Sequence, residues 1–210
     1  MDVMQAIRER RSINFFESGR DVSARIIRDL LELANLAPSS MNLQPWRVIV
    51  VNDAERKRTL RQCAFDQPKV EEASAVLIMI ADPRSVEENI DQVLGSWVRL
   101  GYIKAEAVDT YKGLAGKLYG TEDSLTRRFF AIKNTSLYAM NVMIAAKGLG
   151  LETHPMDGFD EGAVKKAFSI PEDKIIPMLI AVGYLKTGFS LLPRAYRRKF
   201  EDFVTMNSYR

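Results

Sequence analysis

Apolar positions along the chain follow a helical period in some stretches and form short continuous runs in others. Apolar residues on one face predict a short helix over residues 3–11. Ser23 is a good N-cap for a second helix that runs to about Leu36. The same spacing predicts further helices at about 53–63, 90–103, 108–118, 123–147 and 160–168.

The continuous apolar runs predict buried strands at Trp46–Val51, Ala73–Ala81 and Ile175–Leu185. Runs without polar alternation are typical of strands that are covered on both faces. A short extended piece, Glu152–Phe159, precedes the helix at about 160 and enters a turn. The pattern therefore predicts one α/β (α+β) domain, in which helices cover a mixed sheet.

A constrained polar segment, Ala37–Trp46, joins the second helix to the first strand. Pro45 biases Gln44 away from helical angles and toward extended backbone, so the segment is expected to be a fixed connector. Its two prolines bracket three small polar side chains, those of Ser39, Ser40 and Asn42. Connectors held between rigid elements often carry binding groups, although the segment alone is more typical of an ordinary polar loop.

Composition narrows the range of functions. The 210 residues fit one domain or two small ones, and the formal net charge of +3 is too small to indicate nucleic-acid binding. The longest apolar-leaning uncharged runs are too short to span a bilayer, and the first residues show no secretory signal. The single cysteine, Cys63, suits a reducing cytosol or serves as a reactive thiol. We therefore expect a cytoplasmic protein that binds neither membrane nor nucleic acid.

Several catalytic templates are absent from the sequence. Gly113–Lys117 lacks the spacing of a phosphate-binding loop, and there is no dinucleotide fingerprint, nucleophile elbow or zinc spacing. His154 is the only histidine, so the one conceivable Ser-His-Asp set joins Ser39 or Ser40 with His154 and Asp157. Nothing in the sequence places His154 against either serine, and a structural or pocket-wall role is favoured.

Basic residues cluster near both ends of the chain. Arg10 and Arg11 precede Ser12, and the tail carries Arg194, Arg197, Arg198 and Lys199. Guanidinium forks and a hydroxyl group match a phosphate well because they donate several convergent hydrogen bonds. Each cluster alone is also typical of a solvated charged surface.

Taken together, these segments resemble the nitroreductase family of FMN-dependent oxidoreductases over nearly the whole chain. The resemblance rests on Arg10-Arg11-Ser12, Pro38–Trp46, Pro155–Phe159, Gly183-Tyr184 and the basic tail before Phe200-Glu201. It implies a three-layer sandwich, with a helical insertion at about 86–120 and a C-terminal arm at about 189–210. It also implies an intertwined homodimer with two flavin sites at the interface.

The resemblance assigns roles to individual residues. The FMN phosphate and ribityl chain would contact Arg10, Arg11, Ser12, Arg197 and, at the ribityl side, Asn134. The partner subunit would supply Pro38, Ser39, Ser40 and Asn42. The flavin ring would contact Asp66 and Lys69 at its pyrimidine edge, and Pro155, Met156, Asp157 and Gly158 behind it. Lys69 would stabilise negative charge near N1 and the C2 carbonyl, while Met41 and Phe65 would line the acceptor pocket.

Three positions depart from the usual pattern of the family. Asn14 stands where Arg or Lys is common, which removes one phosphate-side charge. Asp157 replaces a frequent Glu, and Ala195 falls where a Lys aligns, so that Arg194 or Arg198 must substitute.

The expected activity is reduction of nitroaromatic, quinone or related acceptors with NAD(P)H, by ping-pong hydride transfer through flavin N5. Alternatives on the same fold are dehalogenation, flavin fragmentation and dehydrogenation. A non-catalytic flavin-binding protein and, more distantly, a basic-tailed nucleic-acid binder are alternatives of other classes. The physiological acceptor and the choice between NADH and NADPH stay open.

Overall fold

A computed structural model describes residues 1–209 of the chain. Its α-helices are α1 Val3–Glu9, α2 Ala24–Ala34, α3 Ala54–Cys63, α4 Pro68–Glu72, α5 Ser85–Arg99, α6 Val108–Tyr119, α7 Leu125–Gly148 and α8 Glu161–Phe168. Its strands are β1 Trp46–Val51, β2 Ala75–Ala81, β3 Glu152–Met156 and β4 Ile175–Gly183. The helices predicted at 53–63, 108–118 and 160–168 agree with the observed bounds within two residues.

Local side-chain chemistry accounts for most of the helix starts. Ser23 Oγ accepts a hydrogen bond from the Ile26 N–H, which confirms the predicted cap, and Asp53 Oδ1 caps α3 in the same way by accepting from the Arg56 N–H. The helix expected from about residue 90 begins earlier, at Ser85. Helix α4 was missed, although Pro68 at its first turn is a typical start signal.

The four strands form one sheet in the order β1-β2-β4-β3, and every neighbouring pair is antiparallel. The expectation of a mixed sheet therefore needs correction for these strands. Within residues 1–209, parallel pairing is confined to a single bridge between Ser12 and Thr153. Apolar runs show that helices cover both faces of a sheet, but they do not determine the direction of a neighbouring strand.

Helices cover both faces of the sheet, which confirms the expected three-layer arrangement. Strand β2 is buried along its whole length and sends alternate side chains to the two faces. Ile78 packs with Leu60 of α3 and Val164 of α8 on one face. Leu77 packs with side chains of α2 and α7, including Val142, on the other face.

The region predicted as a helical insertion, 86–120, contains α5 and α6 and packs on the N-terminal part of α7. Arg127 of α7 holds this region in place because its buried guanidinium donates to Glu87 and to the Pro83 and Gly120 carbonyls. None of the helices within residues 1–209 is both long enough and apolar enough to cross a membrane.

Candidate cofactor site

The N-terminal segment that carries the basic cluster lies along the outer edge of β3. The Ile13 N–H donates to the Thr153 carbonyl at 3.2 Å, and Ile13 itself is buried. His154 Nδ1 lies 2.7 Å from the Ile13 carbonyl oxygen. Because a carbonyl can only accept, Nδ1 carries the hydrogen and donates it. The Ile13 backbone is thus held by one backbone and one side-chain hydrogen bond, and these fix the segment that carries Arg10 and Asn14.

Arg10 occupies a crowded cationic position. Its Nη1 is buried and has no hydrogen-bond partner within residues 1–209. Burial lowers the pKa of Arg10, and the nearby charges of Arg194 and Arg197 lower it further, whereas Glu152 opposes them. A buried, unsatisfied donor among like charges is costly unless an anion binds there. The predicted Arg10–Arg197 grouping is therefore brought together by the fold, and its chemistry fits a phosphate.

Arg11 and Arg194 hold the tail against the N-terminal segment. Arg11 Nη1 donates to the Leu192 carbonyl at 3.1 Å, and Arg194 Nη2 donates to the Arg10 carbonyl at 3.0 Å. The guanidinium of Arg198 stacks over the Phe203 ring, 5.4 Å from its centroid. These contacts give the three arginines roles within the chain, and their predicted phosphate contacts stay predictions.

A strained turn between α3 and α4 faces the loop that follows β3. Phe65 and Asp66 both have left-handed backbone, with φ of 52° and 54°. Gln67 Nε2 donates to the Gly158 carbonyl at 2.7 Å and ties the turn to that loop. A Cβ added to Gly158 would lie 3.2 Å from the same amide, so the close approach suits glycine. The resemblance did not include Gln67.

Other residues of the predicted ring-binding set lie along β3 and the loop after it. Met156 is buried in the core, Pro155 is half-buried, and Asp157 and Gly158 are exposed. The Asp160 N–H donates to the Cys63 carbonyl, which brings the loop against the end of α3. Phe65 and Asp66 thus lie beside Asp157 and Gly158, and their predicted contacts with the flavin ring and the acceptor stay predictions.

Lys69 of α4 reaches toward the same edge. Its Nζ donates to Asn14 Oδ1 at 2.9 Å, and burial lowers its pKa. No carboxylate of the described residues lies within ion-pair distance of it. The pKa of His154 is lowered by burial and also by the positive charge of Lys69. Lys69 is therefore a partly desolvated cation that lacks a protein counter-ion.

The connector Ala37–Trp46 departs from its predicted backbone. Ser40–Asn42 forms a single 3₁₀ turn, and Gln44 has a φ of 47° instead of the extended angle expected before proline. Ser39 Oγ accepts from the Gln44 N–H at 3.0 Å and holds this conformation. Met41 and Asn42 are also left-handed, so strain is concentrated in this turn.

The connector is anchored to α6 and α7. Ser40 N–H donates to Asn134 Oδ1 at 3.0 Å, and Ser40 Oγ lies 2.6 Å from the Tyr119 hydroxyl. Asn134 is 2% exposed, and its side-chain Nδ2 donates a hydrogen bond to the Phe130 carbonyl. Asn134 therefore supports the connector, and its predicted contact with the ribityl chain stays a prediction. Tyr119 has no sequence signal, since its partner lies 79 positions away.

Met41, predicted to line the acceptor pocket, is partly buried against the apolar cluster of α5 and α6. Phe65, predicted to line the same pocket, is 69% exposed. Pro38 and Asn42 are exposed on the connector, as a contact with another subunit requires. None of these assignments is decided by contacts within one chain.

The two halves of the predicted site lie at opposite edges of the sheet. The connector leads into β1 at one edge, whereas Arg10–Asn14 borders β3 at the other. Three inter-strand spacings, about 14 Å in all, separate these strands. Because Ser39 and Ser40 are at the edge opposite His154, the Ser-His-Asp set does not form within one chain. One chain does not bring the two halves of the flavin site together.

An α+β sandwich with a cationic edge site and a strained polar connector defines the class of protein. The family model described as the nitroreductase family matches residues 7–184, and the chain belongs to this family. MhqN of Bacillus subtilis, named as an NAD(P)H nitroreductase, is 36% identical over 198 residues, covering 94% of this chain and 95% of MhqN.

Solved structures agree with this assignment. The crystal structure of B. subtilis YdfN, described as a nitroreductase, has a TM-score of 0.89 and 33% identity, and the match covers 96% of this chain and 97% of YdfN. A protein of Exiguobacterium sibiricum, described as a nitroreductase in complex with FMN, has a TM-score of 0.84 and 27% identity. That match covers 98% of this chain and 97% of the other.

Proposed function

We propose that the protein is an FMN-dependent oxidoreductase that uses NAD(P)H to reduce small acceptors such as nitroaromatics and quinones. The observation that carries this proposal is the buried Arg10 Nη1, which has no hydrogen-bond partner within residues 1–209 and lies near Arg194 and Arg197. The ammonium of Lys69, which has no carboxylate partner among the same residues, lies at the same sheet edge. One cationic position suits a phosphate, and the other suits a ring that gains negative charge. The names of MhqN and of the FMN-bound relative support the same activity.

The residues at this edge fit the cofactor. Arg10 and Arg197, with Ser12, would hold the phosphate end of FMN through charge-assisted hydrogen bonds. Asp66, Lys69 and the Pro155–Gly158 segment would border the ring. When bound, FMN supplies the hydride chemistry, so no nucleophile or acid–base pair is required of the protein.

Electrostatics is the main contribution of the chain to the proposed reaction. Lys69 is partly withdrawn from water and has no carboxylate partner among residues 1–209, so its positive charge is less screened than that of a fully exposed lysine. It would favour the state of the ring that carries negative charge. The nicotinamide and the acceptor are proposed to occupy the same exposed face in turn, which gives ping-pong kinetics.

A second copy of the chain completes the proposed site. The connector that would contact FMN lies at the sheet edge opposite Arg10, so it would serve the flavin of a partner subunit. The outer face of α7 exposes Phe129, Leu137 and Met140, and the tail exposes further large apolar side chains. Apolar surface of this kind is typical of a subunit interface. We propose a homodimer with two interface sites and, from the single cysteine, a cytoplasmic location.

Purification tests the cofactor, and anaerobic titration tests the reaction. The protein should purify yellow, or bind FMN on reconstitution, and elute with the mass of a dimer. NADH or NADPH should bleach the flavin without oxygen, and nitroaromatic or quinone acceptors should restore its absorbance. A colourless protein that cannot be reconstituted would refute the proposal. A yellow protein that neither nucleotide reduces would instead identify a non-catalytic flavin-binding protein.

A further inference from the structure

The contact between Lys69 and Asn14 joins two elements that are far apart in sequence. Lys69 lies on the short helix α4, and Asn14 lies 55 positions earlier on the segment beside β3. An ammonium has only donors, so the Asn14 atom that faces it must be the carbonyl oxygen. One of the three Lys69 protons is therefore used, and the other two are available to a ligand.

The backbone around Asn14 is fixed independently of Lys69. Its neighbour Ile13 donates its N–H to the Thr153 carbonyl and accepts the His154 Nδ1–H at its own carbonyl. Asn14 therefore presents its amide from a position that is set by strand β3. A lysine side chain has four rotatable bonds and large rotamer entropy, so a hydrogen bond to a fixed acceptor limits the positions of its ammonium group.

The chemistry of the partner is as informative as its position. A carboxylate at position 14 would orient Lys69 equally well, but it would also neutralise the charge. An amide oxygen orients the ammonium and leaves its full positive charge available. Asn14 is exposed and Lys69 is only half-buried, so their contact lies at the surface, where a bound ring could reach the ammonium.

We propose that Asn14 is a positioning residue, which holds the Lys69 ammonium at the pyrimidine edge of FMN and thereby raises the reduction potential of the bound flavin. This inference rests on the proposed function. It replaces the expectation that position 14 serves the phosphate, because the Asn14 side chain contacts Lys69. In this role Asn14 acts through Lys69, whose ammonium it accepts a hydrogen bond from.

A double-mutant cycle tests this role. Asn14→Ala, Lys69→Met and the double variant are loaded with FMN, and the midpoint potential and the Kd of oxidised FMN are measured for each. We expect Asn14→Ala to weaken binding of reduced FMN about tenfold relative to oxidised FMN, equivalent to a midpoint potential about 30 mV lower for a two-electron couple. Asn14→Asp should lower the potential further, since its carboxylate neutralises Lys69. Asn52→Ala, at an exposed asparagine after β1, is the control and should leave the potential unchanged.

Comparing Asn14→Ala in the wild-type and Lys69→Met proteins distinguishes an effect through Lys69 from a direct effect of Asn14 on the flavin. In the Lys69→Met background, the additional change Asn14→Ala should alter the ratio of reduced-FMN to oxidised-FMN affinity by less than twofold. The midpoint potential should therefore stay nearly the same, because the ammonium is already gone. An equal shift in both backgrounds, or no shift in the wild-type background, would overturn the role of Asn14. Failure of the wild-type protein to bind FMN would instead overturn the proposed function, so the two outcomes are distinguishable.

Discussion

Arg10→Met tests whether the cationic cluster is a phosphate site. The substitution removes the buried Nη1 donor and one positive charge of the arginine cluster while keeping an extended, unbranched side chain. A hydrogen bond to a charged group contributes about 1.5–3 kcal/mol. At about 1.4 kcal/mol for each factor of ten, the Kd for FMN should rise roughly 10- to 150-fold.

The same variant should behave differently without cofactor. In the apoprotein, Arg10 is repelled by Arg194 and Arg197 and leaves a polar atom unsatisfied, so its loss should not lower the melting temperature. Fluorescence titration with FMN and thermal unfolding of the apoprotein measure the two effects. Arg8→Met, at an exposed arginine on the preceding helix turn, is the matched control. FMN affinity within twofold of wild type in folded Arg10→Met would refute the phosphate assignment.

Three further substitutions test the structure around the site. Tyr119→Phe removes the hydroxyl bonded to Ser40 and should destabilise the protein by about 1 kcal/mol, measured by urea unfolding, and loosen FMN; unchanged values for both would contradict the anchoring role. Arg127→Met leaves Glu87 and the Pro83 and Gly120 carbonyls without their donor and should lower the free energy of unfolding by about 3 kcal/mol. A loss below about 1 kcal/mol would contradict the stabilising role of Arg127. His154→Gln tests a pH effect. Folding lowers the pKa of His154, so the unfolded chain binds this proton more strongly, and protonation favours unfolding as the pH falls from 6.5. The wild type should therefore lose more stability than the variant over this range, and parallel pH profiles would contradict this.

Features that depend on neighbouring residues in sequence could be predicted. The caps at Ser23 and Asp53 and the strand Trp46–Val51 follow from local propensity and from the spacing of apolar residues. The direction of strand pairing could not be predicted, because burial on both faces is the same for parallel and antiparallel neighbours. The left-handed Gln44 also escaped prediction, since its conformation is held by a hydrogen bond from its own N–H to Ser39 within a folded turn.

The candidate site divides in the same way. Sequence motifs indicated Arg10, Lys69 and Gly158, and the fold places these residues at one edge. Their partners, however, come from distant parts of the chain: Asn14 for Lys69 and Gln67 for Gly158. No local pattern encodes a contact across tens of residues. The role of Asn14 beside Lys69 therefore became visible only in three dimensions.

The division of the proposed site between opposite sheet edges has a genetic consequence. Arg10 and Ser40 belong to different halves, so on the proposed dimer a substitution at each damages a different contribution to the same flavin. In a mixed dimer of one Arg10→Met subunit and one Ser40→Ala subunit, one flavin site contains both substitutions and the other contains neither. Co-expression of two impaired variants should therefore restore an intact site by complementation.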